Sequence, residues 1–224
     1  MSIIKGIIKN NLREKKMAEL QAQKDIKKTN PRSNSKQRLK MKLQILHALE
    51  NLLEVKEYSR IEVNDICNEA HISKPTFYRY FKNKDSIFTW MTKVSIKCGI
   101  EEIGRKYTWY EGYLVSLMLT YRHRVFYIEK RHSEAMDSIS DFVWHYQCEA
   151  LRETLNMYED IKVDEKLLYQ VEAAARTQLF MARKWCEDGM KVPPEVMAEY
   201  IASSTPHILF EMLNGPINRH ITSG

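Results

Sequence analysis

The sequence has little glycine or proline and no long apolar run. Seven glycines and six prolines in 224 residues are too few for a β-sandwich rich in loops or for a low-complexity chain. The most apolar run, residues 113–121, is nine residues long and contains Ser116 and Thr120, whereas a helix needs about 20 apolar residues to span a bilayer. Residues 1–16 interleave lysine with isoleucine and lack the apolar block of a secretory signal. We therefore expect a cytoplasmic protein that does not insert into membranes.

Motifs for metal binding, redox chemistry and catalysis are also missing. No two of the four cysteines form a C-x-x-C pair, and no two histidines have the H-x-x-x-H spacing of a zinc site. The simplest interpretation is four reduced thiols, at Cys67, Cys98, Cys148 and Cys186. The sequence also lacks H-E-x-x-H, G-x-S-x-G and Walker A motifs. We predict no metal, no cofactor and no enzymatic activity.

The positive charge is concentrated near the amino terminus. The formal net charge is +6, but residues 1–42 contain 13 lysines and arginines against three acidic residues, so this segment carries +10 and the remainder −4. We predict that residues 1–34 form a basic flexible arm that ends in turn-forming residues around Pro31. Three roles stay open for the arm: contact with DNA phosphates or the minor groove, a solvated extension, or a membrane-surface helix with an isoleucine face.

Apolar residues after the arm recur at spacings of three and four, and no segment alternates with the period of a strand. This pattern predicts an all-α fold. Ser73 is predicted to cap the third helix, with Pro75 in its first turn, and Asn83 is predicted to cap the fourth. The predicted helices cover approximately residues 36–56, 63–70, 74–81, 83–104, 109–128, 134–157, 164–188 and 194–213.

Residues 61–84, IEVNDICNEAHISKPTFYRYFKNK, have the layout of a helix-turn-helix. Apolar side chains are spaced to hold the two short helices against the first one, at Ile61, Val63, Ile66, Ala70, Ile72, Phe77 and Phe81. Lys74 can donate to guanine O6 or N7, and the Pro75 ring and the Thr76 methyl can contact a thymine methyl. The remaining outward residues are expected to donate hydrogen bonds to phosphates: Tyr78, Arg79, Tyr80 and Lys84.

Three stretches of this motif follow one pattern: V-x-D-I at 63–66, A-x-I-S at 70–73 and K-P-T-F-Y-R-Y-F-K-N-K-D at 74–85. They resemble the tetracycline-repressor (TetR/AcrR) family of transcriptional regulators, and the resemblance extends over about residues 37–95. It implies that positions which touch operator bases or phosphates are occupied here by Lys74, Pro75, Thr76, Tyr78, Tyr80 and Lys84.

The motif also departs from the pattern of that family. His71 stands where a glycine usually forms a left-handed turn, a conformation that histidine tolerates better than most residues. Glu62 replaces a threonine that often caps the second helix, and Cys67 replaces a small alanine. Asn64 replaces a basic residue that often contacts phosphate, and we include Asn64 among the predicted DNA contacts.

The resemblance further implies a domain organisation and a function. Residues 35–92 would form a three-helix DNA-binding domain, and residues 93–224 a helical domain that binds a small-molecule effector and dimerises through its last two long helices. Because one helix-turn-helix reads only a half-site, we expect a homodimer on a pseudo-palindromic double-stranded DNA operator. We predict a ligand-responsive repressor of transcription. The alternatives are an activator whose helical domain binds a partner protein, and a sequence-tolerant architectural DNA binder.

Residues 109–186 are rich in aromatic residues and methionine, a composition typical of either an effector pocket or an ordinary helical core. Arg176 lies in an apolar stretch, where it would clamp an effector carboxylate or pair with a partner acid such as Glu172. His145 and the YRHR cluster at 121–124 would bind an anionic effector or form a solvated helix face. The predicted effector contacts are Tyr113, Tyr121, Trp144, His145, Arg176 and Phe180.

Overall fold

A computed structural model describes residues 31–130, 134–158 and 161–215 of the chain. Within these ranges the chain is helical and contains no strand, which confirms the predicted all-α fold. The predictions for residues 1–30 of the arm lie outside the described residues.

The first three helices pack together as a unit. They are α1 Pro31–Leu53, α2 Val63–Glu69 and α3 Lys74–Tyr80, with a short 3-10 helix, Tyr58–Arg60, between α1 and α2. α1 begins earlier than predicted because Pro31 occupies its first position, where the missing N–H costs nothing, rather than breaking it. All three helices and the residue after α3 contribute to one buried core: Ile45, Leu46, Leu49, Ile66, Phe77 and Phe81.

The remaining helices of the described chain form a body that begins with α4. α4 packs against α5, α5 packs against α9, and α7 lies against α8. The body consists of α4 Asp85–Cys98, α5 Trp109–Arg122, α6 Arg124–Lys130, α7 Glu134–Asn156, α8 Glu165–Glu187, α9 Pro194–Ser203 and α10 His207–Leu213.

Two segments that we predicted as single helices are each divided into two. The segment 109–128 is interrupted at His123, which has φ −107° and ψ 29° and ends α5. The segment 194–213 is interrupted before Pro206, because proline lacks an N–H and disfavours the helical conformation at the preceding Thr205. Both single-helix predictions were therefore wrong.

α4 and α5 cross at a close backbone contact. A Cβ atom on Gly99 would lie 2.3 Å from the carbonyl oxygen of Gly112, and one on Gly112 would lie 2.4 Å from Cγ1 of Ile103. Neither position has room for a larger residue. Nearby, Trp109 is fully buried and donates its indole N–H to the Leu209 carbonyl at 3.2 Å, which ties α5 to α10.

The four cysteines carry free thiols, as predicted. Cys67, Cys148 and Cys186 are buried, whereas Cys98, at the end of α4, is exposed. Burial raises the pKa of the Cys186 thiol to about 12 and that of Cys148 to about 11. Among the described residues, no three histidine, cysteine or acidic side chains gather where they could hold a metal ion. No helix in the described ranges has the length and apolar character to cross a bilayer.

Candidate nucleic-acid interface

α3 is anchored at both its start and its middle. Ser73 caps the helix as predicted, because its Oγ accepts the Thr76 N–H at 3.3 Å and lies 2.9 Å from Thr76 Oγ1. Pro75 lies in the first turn. The Phe77 ring is fully buried and meets Phe81 at a centroid distance of 6.1 Å. These contacts fix which side of α3 faces outward.

The turn between α2 and α3 adopts the predicted left-handed conformation. His71 has φ +52°, the region that glycine favours and histidine tolerates. Two backbone hydrogen bonds close the turn. The His71 N–H donates to the Asn68 carbonyl at 3.1 Å, and the Ile72 N–H donates to the Cys67 carbonyl at 2.9 Å. The turn is therefore closed without glycine, and it aims the first residues of α3 away from α2.

The outward side of α3 carries most of the predicted DNA contacts. Its exposed side chains are Lys74, Pro75, Tyr78 and Arg79. Thr76 is half-buried because it turns back towards Ser73, and Tyr80 is half-buried because it packs against the core. On α2, Asn64 is exposed. A lysine, an arginine and phenolic hydroxyls on one helix face are suited to contact bases and phosphates.

Lys84 has a different environment from the one we predicted. Its side chain is half-buried, and Nζ donates to the carbonyls of Tyr58 at 2.8 Å and Ile61 at 2.7 Å. The same ammonium lies 4.4 Å from the centre of the Tyr58 ring. Lys84 therefore braces the segment between α1 and α2 against the start of α4. This geometry gives it a structural role in place of the predicted exposed phosphate contact.

The start of α2 is stabilised by an aspartate rather than by the threonine typical of the family. The Asp65 carboxylate accepts the Glu62 N–H at 2.9 Å and the Lys56 ammonium at 2.7 Å. The backbone hydrogen bond from Glu62, followed by the one from Lys56, lowers the pKa of Asp65. Glu62 stands where the family often has a capping threonine, and Asp65, three residues later, stabilises the start of α2 instead.

α1 adds exposed cations to this surface. From the sequence they entered the predictions only through the net charge of residues 1–42. Lys36, Arg38 and Lys40 are exposed, and residues 31–49 contain no acidic side chain. An open groove of about 940 Å³ runs between α1 and the turn before α3, lined in part by Lys36, Lys40 and His71. The absence of acids over 31–49 is the sequence signal that identifies this cationic side of α1.

Residues 45–89, which span the second half of α1, all of α2 and α3, and the start of α4, match the family model described as bacterial regulatory proteins, tetR family. Residues 45–89 therefore form a DNA-binding domain of the TetR family type. This confirms the resemblance drawn from residues 63–85.

Curated relatives of this chain are regulators of transcription and not enzymes. It is 29% identical over 83 residues to the HTH-type dhaKLM operon transcriptional activator DhaS of Lactococcus lactis subsp. lactis (strain IL1403), covering 37% of this chain and 44% of DhaS. It is 47% identical over 45 residues to the HTH-type transcriptional regulator EthR of Mycobacterium tuberculosis (strain ATCC 25618 / H37Rv), covering 20% of this chain and 21% of EthR. The chain thus spans less than half the length of the curated relatives it matches.

The whole fold also has a solved counterpart. The structure of the dihydroxyacetone kinase operon activator DhaS superposes with a TM-score of 0.56 over 77% of this chain and 96% of that one, at 18% sequence identity. The likeness of fold therefore extends beyond the DNA-binding helices to the helical body of this chain.

The six residues predicted to contact an effector lie in separate places. Tyr113 is in the core of the body, where its hydroxyl donates to Gln178 Oε1 and accepts from Gln147 Nε2, both at 2.6 Å. Gln178 Nε2 donates in turn to Thr205 Oγ1 at 2.8 Å. Burial raises the pKa of the Tyr113 hydroxyl, which stays protonated. These four side chains form an uncharged, buried polar cluster.

Trp144, His145 and Arg176 lie together on the outer side of α7 and α8. The Arg176 guanidinium is 3.7 Å from the centre of the Trp144 ring and 3.3 Å from the Asp141 carboxylate. Arg176 therefore pairs with an acid, as one of the two interpretations predicted, but the acid is Asp141 and not Glu172. His145 is exposed, with Nδ1 2.7 Å from the Asp141 carbonyl oxygen. Half of the Arg176 side chain is exposed, so it does not point into the core.

Tyr121 and Phe180 lie at a third place, near Trp185. The Tyr121 ring stacks on Trp185 at a centroid distance of 6.1 Å, with the Arg124 guanidinium 5.0 Å from its centre. Phe180 is 65% exposed beside a shallow groove of about 450 Å³. The six predicted effector residues therefore do not surround one common cavity.

Proposed function

We propose that this protein regulates transcription in the cytoplasm by binding an operator as a homodimer, with α3 of each subunit in the major groove. The observation that carries the proposal is the exposed side of α3, which is held outward by the buried Phe77 ring and the Ser73 cap. Lys74 and Thr76 are assigned to base contacts. Phosphate contacts are assigned to Asn64, Tyr78, Arg79 and Tyr80, together with the exposed cations of α1.

Exposed apolar side chains on the last helices support a homodimer. Tyr169 and Phe180 on α8 are 66% and 65% exposed, Tyr200 on α9 is 51% exposed, and Ile208 on α10 is 40% exposed. Large apolar groups that gather at the surface mark interaction sites. A two-fold dimer would place the two α3 helices on half-sites about 34 Å apart, one turn of DNA.

The interior of the body is the proposed effector site, with Tyr113 as its contact. The polar cluster around Tyr113 offers hydroxyl and amide groups but no charge, and burying an unpaired charge in a protein core is costly. An uncharged polar effector therefore fits this interior better than a carboxylate. The other five predicted effector residues lie at or near the surface.

The direction of regulation has two candidates. The sequence resemblance favours repression, whereas DhaS, which shares this fold and part of this sequence, is named an operon activator. A reporter fused to the promoter next to the gene decides between them. Deleting the gene raises reporter output if the protein represses and lowers it if the protein activates.

Selection from randomised duplex DNA, followed by gel-shift titration, tests DNA binding. We expect enrichment of a palindrome and an affinity for it at least about 10³-fold above that for random DNA at physiological salt. Lys74→Ala should relax the preference at one base position in each half-site. Lys166→Ala, a change to an exposed lysine on α8, is the matched control and should bind like the wild type.

An architectural DNA binder would give a different result. It would bind selected and random DNA alike, with a steep salt dependence set by its cations. Equal affinities for the two kinds of DNA at every salt concentration would overturn the proposal.

A further inference from the structure

A largely buried polar contact joins α1 of the DNA-binding helices to the junction of α5 and α6 in the body. His123 Nδ1 lies 2.6 Å from the Glu50 carboxylate, and the two side chains are only 9% and 22% exposed. Glu50 belongs to α1, and His123 is the residue between α5 and α6. The sequence led us to expect that His123 binds an anionic effector or faces solvent, whereas its side chain is 9% exposed and contacts Glu50.

The backbone of His123 is held by both neighbouring helices. Its N–H donates to the Thr120 carbonyl of α5 at 3.1 Å, and its carbonyl accepts the Phe126 N–H of α6 at 3.1 Å. A displacement of the end of α5 therefore moves the His123 ring, because the residue cannot shift independently of either helix. Glu50 follows Leu49, which is fully buried in the core formed by α1, α2 and α3, so it is equally well fixed.

Three residues after His123, aromatic rings pack where the DNA-binding helices meet the body. The fully buried Phe126 ring lies 6.1 Å from the Tyr58 ring on one side and 5.5 Å from the Phe88 ring on the other. These apolar contacts hold the two parts together but specify no direction. The Glu50–His123 contact is directional, and breaking it leaves a largely buried polar group without its partner.

The same helix leads to the polar cluster in the body. Tyr113 is ten residues before His123 along α5, a distance of roughly 15 Å at the rise of an α-helix. A rigid helix therefore has a buried polar cluster near one end and the contact with α1 at the other.

We propose that Glu50 and His123 are positioning residues that set the orientation of the DNA-binding helices on the body, and that they pass a movement of α5 to α1. The regulatory part of this inference rests on the proposed function, because it supposes an effector in the body. The orienting part does not, because it concerns a contact within one chain.

A double-mutant cycle on the full chain tests the orienting part. The variants are Glu50→Ala, His123→Ala and both together, with His47→Gln, at an exposed site on the same helix, as the matched control. Each single change should raise the unfolding equilibrium constant at a fixed urea concentration by roughly ten-fold, and the double change by little more than one of them. Effects that multiply would show that the two residues do not act together.

Hydrogen exchange separates orientation from general stability. In both single variants, amides of residues 31–53 should exchange faster by roughly ten-fold, while those of residues 165–187 stay as in the wild type. Glu50→Asp keeps the charge but is one methylene shorter, so it should behave like Glu50→Ala. Equal acceleration in both segments, or a Glu50→Asp variant that behaves like the wild type, would overturn the proposal.

Binding to the selected palindrome tests the consequence for DNA. The wild type should discriminate strongly against a palindrome with one base pair inserted between its half-sites, and both single variants should discriminate less. Unchanged discrimination would overturn the assignment of orientation to this pair. If the wild type selects no DNA sequence at all, the proposed function fails. The double-mutant cycle and the hydrogen-exchange data would still test whether Glu50 and His123 orient the DNA-binding helices.

Discussion

Lys74 and Lys84 stand ten positions apart in the motif, but their surroundings differ. Lys74 is exposed at the start of α3, whereas the Lys84 ammonium is enclosed by two main-chain carbonyls and the Tyr58 ring. Sequence spacing placed both beside DNA because it indicates position within a motif but not burial. The carbonyls that bind Lys84 come from the loop before α2, which carries no signal of its own in the sequence.

Replacing Lys84 should therefore affect folding more than DNA contact. Lys84→Met removes both hydrogen bonds to the carbonyls, and we expect the free energy of unfolding to fall by about 1–3 kcal/mol. Lys74→Ala, the matched exposed lysine, should change it by less than about 0.5 kcal/mol. Urea denaturation measures both. A Lys84→Met protein with a wild-type midpoint and weakened DNA binding would restore the phosphate role that the sequence suggested.

Asp65 should make the stability of the DNA-binding helices depend on pH in the acid range. Its pKa is lowered from 3.8 by the Glu62 backbone hydrogen bond and by Lys56, so its contribution to stability is full above 3.8 and is lost as the pH falls through the folded-state pKa. Asp65→Asn should therefore lower the denaturation midpoint at neutral pH, and the difference from wild type should shrink in acid. Glu54→Gln, at an exposed carboxylate after α1, should show no such convergence. A difference that stays constant with pH would contradict this prediction.

At the scale of the elements, the sequence predicted helices best where local signals agree. The start of α3 is marked by a cap, an early proline and the Phe77 and Phe81 pattern, and it begins at the predicted residue. The break at His123 has no cap, glycine or proline to mark it in the sequence, and the His123 side chain contacts α1, which is distant in sequence. The break before Pro206 is marked by the proline itself. The apolar residues on both sides of it keep the helical spacing, so the pattern predicted one helix.

The crossing of α4 and α5 depends on two glycines that are 13 residues apart in sequence. Gly112→Ala would place a methyl group against Ile103 and the Gly99 carbonyl, and we expect a loss of about 1–3 kcal/mol in the free energy of unfolding. Met118→Ala, at a 40% exposed position of α5, is the control and should cost clearly less. Thermal or urea unfolding measures the difference. Equal losses would show that the crossing relaxes without strain.

At the scale of the whole molecule, the fold class and the outward side of α3 could be predicted, whereas the places of the six proposed effector residues in the body could not. Helical periodicity indicates which face of a helix is apolar, but it does not indicate which other helix meets that face. Tyr113 and Phe180 both have apolar neighbours in sequence, yet one is 2% and the other 65% exposed. The pairing of Arg176 with Asp141, 35 positions apart, was beyond local reasoning for the same reason.

If the proposed dimer forms through α8, a charged substitution on that helix should lower the mass of the protein in solution. Phe180→Glu places a charge on the exposed apolar side of α8, and we expect the protein to be monomeric at low micromolar concentration. Val55→Glu, at an 84% exposed position after α1, is the matched control and should leave the dimer intact. Sedimentation equilibrium measures both masses. If Phe180→Glu sediments as the wild type does, this side of α8 is not the dimer interface.

The distribution of the cysteines allows the native protein to be labelled at a single site. Only Cys98 of the four is exposed, and the other three are buried, so a maleimide should attach one group per folded chain and four after unfolding, as counted by intact-mass spectrometry. Cys98→Ser should abolish labelling of the folded chain. Because Cys98 is the last residue of α4 and Gly99 contacts α5, a fluorophore there would report movement of α5 in a protein that needs no engineered cysteine.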